Sequence, residues 1–471
     1  MAPVVCLARL ESAIKSYKNA LALGTEDFER AHCLKNLGAA HYRAAVSVSC
    51  QEHILWKGIE HTKICLESYG AALCHGLVSN QRSEWIDNVR KQLHERARIL
   101  LQLRCFEPAQ LREFRDLTCT SVCKQFAEFG RRRVVVEVLL SAEATNLMDV
   151  MVEELGDDER WQFRGRVCRN LDVKENVRGL VVATLFLNLA SSLFNRSVQV
   201  AETQDCIKAL QPITECEWQL GRADQLAKGC SDCIEEISAS IEELRERVSL
   251  HTRIYRASQK LLSGEEILQK AIFNEEFYGV DLIWVAVDEF RYAITLATGA
   301  DIEIEARALS RLGRIFTRFL KTPVAGHRLY FKAVELALGL LPRNLTAKDW
   351  YVEAVEEVEK YRQESMLRDE EKEQRRRQPF LDQLKDELDK MKAKSLDSGV
   401  AFLRHIYAAH PPKNPDHVLG SLDSSALRKT MLVAISHYHP DKNIQHGDKW
   451  KVLCEEITKA LNQRFEMIKN V

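Results

Sequence analysis

Glycine and proline are scarce in this chain, at 20 and 10 of 471 residues, together about 6% where ordinary domains carry about twice that share. So few turn formers over such a length argue against a many-stranded sandwich or barrel, and for long helices. An excess of either charge is also missing: 67 Lys plus Arg face 68 Asp plus Glu, for a formal net charge of -1. That balance supplies no global pull toward nucleic acid or an anionic membrane, and neither is expected as a partner. Long apolar runs are lacking too. The best candidate, Leu180 to Phe194, is broken by Asn188, Ser191 and Ser192 and falls short of the roughly 20 residues a bilayer span requires. It reads as a buried helix. Met1 to Glu11 show no basic flank followed by an apolar core, so no signal peptide is expected. The 14 cysteines form no dense framework, which suits reduced thiols in the cytosol or nucleus.

What is present is a composition with 46% hydrophobic and 29% charged residues, that of a soluble protein with a sizeable core. The length fits roughly two to four domains. Two windows about 270 residues apart share one pattern. The first runs Ala13, Tyr17, Ala20, then Ala31, Leu34, Leu37, Gly38; the second runs Ala286, Phe290, Ala293, then Ala306, Leu309, Leu312, Gly313. Small residues one turn from an aromatic let two helices approach closely, with the ring expected to fill the gap and glycine to sit at the crossing. These windows resemble tetratricopeptide repeats, which stack helix pairs of about 34 residues. Generic antiparallel helical hairpins use similar packing and stand as the alternative. Between the windows, residues 95 to 265 are helical by period without a clear repeat register. Repeats that clamp the acidic tails of heat-shock chaperones carry Asn after the Leu-Gly step, where this chain has Ala39 and Arg314. The resemblance therefore implies another protein client or partner for the repeats.

Residues 358 to 395 change character, with charges of both signs interleaved three and four apart. Such pairs support an exposed helix by a few tenths of a kcal/mol each. Pro379 is expected to interrupt or kink it. Without sustained apolar heptads, a solvated connector is favoured over a coiled coil. Arg375, Arg376 and Arg377 have acidic neighbours at Glu371 and Glu373, so a solvated face is expected there and not a nucleic-acid patch.

The most specific signal lies in the last 75 or so residues. Leu427 to His437 (LRKTMLVAISH) reads as helix and runs into Tyr438, His439, Pro440, Asp441, Lys442 and Asn443. Trp450 to Ile468 reads as a second amphipathic helix, with Leu453, Ile457, Ala460, Leu461 and Phe465 at helical spacing. Pro440 disfavours helix at His439 and fixes the turn. Upstream, Val400 to His410 reads as a short helix stopped by Pro411 and Pro412.

A helical hairpin with YHPDKN at its tip resembles a DnaJ-type J domain over about 70 residues. That family binds the ATP-bound form of seventy-kilodalton heat-shock chaperones and accelerates their ATP hydrolysis. The resemblance implies that His439, Pro440 and Asp441 are the functional triplet. Lys442, Asn443, His437, Arg428 and Lys429 would complete the chaperone-binding set. The chain departs from the family pattern on the helix before the tip. Leu432 and Val433 stand where a basic pair is usual, Arg428 and Lys429 come one turn earlier, and His437 replaces a common Lys. Weaker electrostatic steering is expected.

Phosphate-loop, dinucleotide-turn, nucleophile-elbow and His-Glu-x-x-His motifs are all absent from the sequence. Cys230 and Cys233 form a lone CxxC, with Cys216 and His251 nearby in sequence, and are read as small hydrophobes, not zinc ligands. No enzyme activity, metal or cofactor is expected. The resulting expectation is an all-α chain with an irregular tetratricopeptide-like α-solenoid at 1–357, a charged helical connector at 358–395 and a J domain at 396–471. Such a chain would act as a co-chaperone. The alternative is a structural adaptor whose J-like end no longer stimulates ATPase.

Overall fold

Apolar residues recurring at helical spacing, with few breakers between them, produce helices and no strand among the described residues. The computed structural model describes residues 3–24, 26–49, 55–101, 108–172, 179–203, 206–228, 234–273, 280–420, 422 and 426–469. Two compact units divide at Ala354 and Val355. The first contains α1 (Pro3–Ala22), α2 (Asp27–Ser49), α3 (Leu55–Val78), α4 (Ser83–Leu101), α5 (Pro108–Arg132), α6 (Val134–Val152) and α7 (Asp157–Asp172). It continues with α8 (Leu180–Glu202), α9 (Cys206–Ala227), α10 (Ile234–Phe273), α11 (Val280–Ala297), α12 (Ile302–Arg314), α13 (Pro323–Leu338) and the first turn of α14 (Asp349–Ser395).

Helices of the first unit pack mainly on their neighbours in sequence: α1 on α2, α2 on α3, α8 on α9, α10 on α11, α12 on α13. Next-but-one contacts, α3 on α5, α4 on α6, α5 on α7 and α6 on α8, join these pairs. Contacts confined to near neighbours along the chain are the mark of a repeat-like helical arrangement. Local signals set individual ends. The Asp301 carboxylate accepts from the Ile304 N–H at 2.9 Å and caps α12, and Pro323 occupies the first turn of α13, where its missing N–H costs nothing.

Helix α8 is longer than the apolar run within it, at 23 residues, and is long and apolar enough to cross a membrane by length and composition. Its Leu185, Phe186, Leu189, Leu193 and Phe194 are buried in the largest apolar cluster of the unit. It is the core helix of that cluster.

The two glycines of the repeated pattern do sit at close crossings, but different rings meet them. A β-carbon on Gly38 would lie 3.0 Å from the Tyr69 ring of α3, and one on Gly313 would lie 3.1 Å from the Tyr330 ring of α13. Tyr17 and Phe290, the rings expected in those gaps, pack elsewhere. Tyr17 joins Ile14 and Leu37, and Phe290 closes on Gly264 of α10, where a β-carbon would come within 2.8 Å. The aromatic of each following helix fills the glycine notch, because a ring on the first helix is already committed to its own side.

Arg314, at the position after the second Leu-Gly step, donates to Glu353 at 2.7 Å. Glu353 also accepts from the Tyr330 hydroxyl at 3.3 Å and pairs with Arg318 at 3.2 Å, while the buried Arg311 pairs with Glu265 at 2.8 Å and Asp349 at 2.5 Å. This network fastens the first turn of α14 to α12.

The second unit, residues 355–471, holds the rest of α14 with α15 (Gly399–Ala409), α16 (Leu427–His437) and α17 (Asp448–Lys469). Leu384, Leu388 and Met391 of α14 are buried in one cluster with Phe402, Ile406, Met431, Tyr438, Leu453 and Ile457. The second half of the charged segment is thus a core helix of this unit, not a solvated spacer. Pro379 lies inside α14 without ending it. The carbonyl deprived of its donor is that of Arg375, on an exposed stretch open to solvent, where the loss costs little. Nor do Arg376 and Arg377 form a bare basic patch. Arg376 pairs with Asp448 at 3.3 Å and Arg377 with Glu455 at 2.7 Å, so the acidic partners come from α17 and not from Glu371 and Glu373.

Candidate functional site

The loop between α16 and α17 is built from below. Tyr438 follows α16 directly, is fully buried, and donates its hydroxyl hydrogen to the His410 carbonyl at 2.5 Å. Thr458 of α17 donates to the Tyr438 carbonyl at 2.9 Å. His439 then turns out into extended backbone (φ -58°, ψ 128°), as the following proline requires, and Pro440 opens a 3-10 helix, Pro440–His446. Side chains of His439 and Asp441 are 46% and 81% exposed, so the tip is presented to solvent on a supported base.

Within the tip, the Asp441 N–H donates to His439 Nδ1 at 3.3 Å, and the Asp441 carboxylate lies 3.8 Å from the same nitrogen. An accepting Nδ1 leaves the proton of a neutral ring on Nε2. The exposed tip therefore carries a ring N–H donor beside a carboxylate.

Asn443 is not part of the exposed set. It is buried, donates from Nδ2 to the His437 carbonyl at 2.9 Å and the His439 carbonyl at 3.0 Å, and accepts from Trp450 Nε1 at 3.1 Å. Its place in the site is positional: it ties both ends of the tip to α17. His437 is likewise committed internally. Its Nδ1 is 2.6 Å from the Tyr407 hydroxyl and its ring stacks on His417 at 4.1 Å. Burial, then the neighbouring His417 and Lys442, push its pKa below the usual imidazole value, so it is neutral at pH 7.

Arg428, Lys429, Leu432 and Val433 are all exposed on α16, and their spacing places them on one face. Leu432 and Val433 are 52% and 40% exposed, an apolar band where a basic pair is usual in the resembled family. Lys442 reaches back over the loop and donates to Ser436 at 2.6 Å, which sets an ammonium one turn beyond that band. The face thus reads basic, apolar, basic along α16. Sequence spacing did not place Lys442 there, because the contact crosses the turn. Supporting residues Tyr407, His417 and Thr458 also escaped the sequence reading. The tyrosines and histidines clustered before the tip were its one visible trace.

Among the described residues, no group of three or more His, Cys, Asp or Glu side chains converges as a metal site would require. Cys230 and Cys233 lie outside the described residues. Cys216 is buried and donates to the Ala190 carbonyl at 3.1 Å, and His251 packs edge-on against Phe194.

No family model matches the chain, and no curated protein matches it. Among solved structures it is similar to a circular tandem repeat protein with novel repeat topology and enhanced subunit contact surfaces. The identity is 12% and the TM-score 0.24, over 100% of this chain and 98% of that one.

Proposed function

We propose that this chain is a co-chaperone whose C-terminal unit acts as a J domain. It recruits a seventy-kilodalton heat-shock chaperone in its ATP state, while the repeat-like helices hold a protein client. The observation that carries the reading is the exposed His439-Pro440-Asp441 tip on a base made rigid by Tyr438 and Asn443. An exposed triplet with this much buried support has little to contribute to a core, and a pre-ordered tip lowers the entropy cost of docking. Tethering a chaperone beside a bound client raises its local concentration, up to roughly the millimolar range for a short connection.

The test is single-turnover ATP hydrolysis by such a chaperone in the presence of the full chain. Stimulation by the wild type and its loss in His439→Gln, with the melting temperature unchanged, is the expected result. One observation favours the second reading, an adaptor with an inactive J-like end: the exposed Leu432 and Val433 interrupt the basic face. Wild-type chain that gives no stimulation at micromolar concentration selects the adaptor.

A further inference from the structure

Helix α13 packs one face and leaves the opposite one bare. Gly326, Tyr330, Ala333 and Ala337 are buried. Val324, Phe331 and Leu338, at 56%, 63% and 56% exposure, are not. Seven residues advance an α-helix by nearly two full turns, so these three side chains form one straight stripe, about 10 Å apart along the axis. Arg328 and Glu335 are exposed beside the stripe, three residues before Phe331 and four after it. Neither pairs with another described residue, although the adjacent Lys332 does, with Glu305 at 3.8 Å.

We infer that this face is the contact for a second copy of the same chain, with two α13 helices antiparallel about a two-fold axis at the level of Phe331. In that arrangement Val324 of each copy meets Leu338 of the other, the two Phe331 rings meet at the centre, and each Arg328 faces the Glu335 of its partner. An isologous contact requires a surface complementary to itself, and this one is: the apolar stripe is symmetric about its middle residue and the charges to either side are opposite. A stripe meant for an unrelated partner has no reason to carry unpaired opposite charges at nearly equal distances, three and four residues, from its centre. One helix face is small against the standard interface of about 1,600 Å², so the dimer is a weak, reversible one in the micromolar range. The inference is independent of the chaperone reading, since it involves no residue of the second unit.

Sedimentation equilibrium of the full chain over about 1–200 µM tests it, because that span brackets a micromolar dissociation constant. The wild type is expected to pass from monomer to dimer. Arg328→Glu and Glu335→Arg should each weaken the dimer by at least ~10-fold, since each sets like charges face to face twice. An equimolar mixture of the two variants should associate as well as wild type, because every charge then meets its opposite. Unfolded chains could not complement one another in this way, so the mixture also controls for folding. A wild type that stays monomeric overturns the inference. So does a dimer indifferent to both reversals, or a mixture no tighter than either variant alone.

Discussion

The buried carboxamide of Asn443 donates to the backbone carbonyl of the exposed His439 at 3.0 Å. Through this bond a side chain with no exposure to a partner sets the direction in which the tip points. Asn443→Ala removes that bond, the one to the His437 carbonyl and the acceptor of Trp450 Nε1 together. The expected cost is about 2 kcal/mol of stability, since buried polar groups are left unpaired. Chemical denaturation should show it, and on the proposed function chaperone stimulation should fall with it, whereas His439→Gln should lose stimulation with its stability unchanged.

Leu432→Arg combined with Val433→Lys should leave stability within about 0.5 kcal/mol, because both positions are exposed. If the α16 face meets an acidic chaperone surface, the association rate rises and becomes more sensitive to salt. Stopped-flow binding at two ionic strengths reads both effects. An unchanged rate would remove this face from the docking surface.

Gly313→Leu should lower stability by about 2 kcal/mol through overpacking, because any β-carbon there meets the Tyr330 ring at 3.1 Å and the Gly326 carbonyl oxygen at 3.2 Å. Gly165 in α7 has open space at the same position, so Gly165→Ala should stabilise by up to about 1 kcal/mol. Opposite signs in thermal melts distinguish a packed crossing from a tolerant helix surface.

Glu353→Ala should cost about 2 kcal/mol, because it removes the carboxylate shared by Arg314, Arg318 and the Tyr330 hydroxyl, while the buried Arg311 keeps Glu265 and Asp349. Glu353→Gln keeps the shape and loses the charge, and should fall between that variant and wild type in urea denaturation.

His41 of α2 and His61 of α3 share a ring contact, Nδ1 to Nδ1, at 2.8 Å. Burial, with the neighbouring His61 and Lys18, lowers the His41 pKa to about 4. Glu11 of α1 and Glu60 of α3 oppose the effect at His61, and Lys18 and Lys57 add to it. The folded chain holds His41 neutral where the unfolded chain would take up a proton below about pH 6.5. Its contribution is therefore complete above that pH and is lost as pH falls toward about 4, with a slope of at most ~1.4 kcal/mol per pH unit for one proton. Urea unfolding from pH 7 to 4.5 should show a shallower pH slope for His41→Gln than for wild type. Equal slopes would mean that His41 takes up a proton in the folded chain.

Much of the helical content was legible from periodicity and punctuation. Leu427 to His437 is the observed α16, because three-four spacing of apolar residues ends there against the X-Pro turn. Other features were not legible, each for a stated cause. Pro379 reads as an interruption or a kink by its local cost, and α14 is not interrupted there, since packing on its far side outweighs one lost hydrogen bond. Asn443 and His437 read as members of an exposed motif, and burial by Trp450 and Tyr407 turns them into supports.

Sequence alone determined what local forces decide: helix over most of the described residues, the turn at His439 and Pro440, and small residues where helices cross. Only the tertiary structure decided which ring fills the notch at Gly38 or Gly313, and which α14 arginines find carboxylates on α17. It also decided whether the stripe at Val324, Phe331 and Leu338 is core or surface. The physical reason is that amphipathic spacing specifies a face without specifying its occupant. The occupant depends on which distant helix arrives there, and a stripe that no helix of its own chain covers reads the same in sequence as one that is buried.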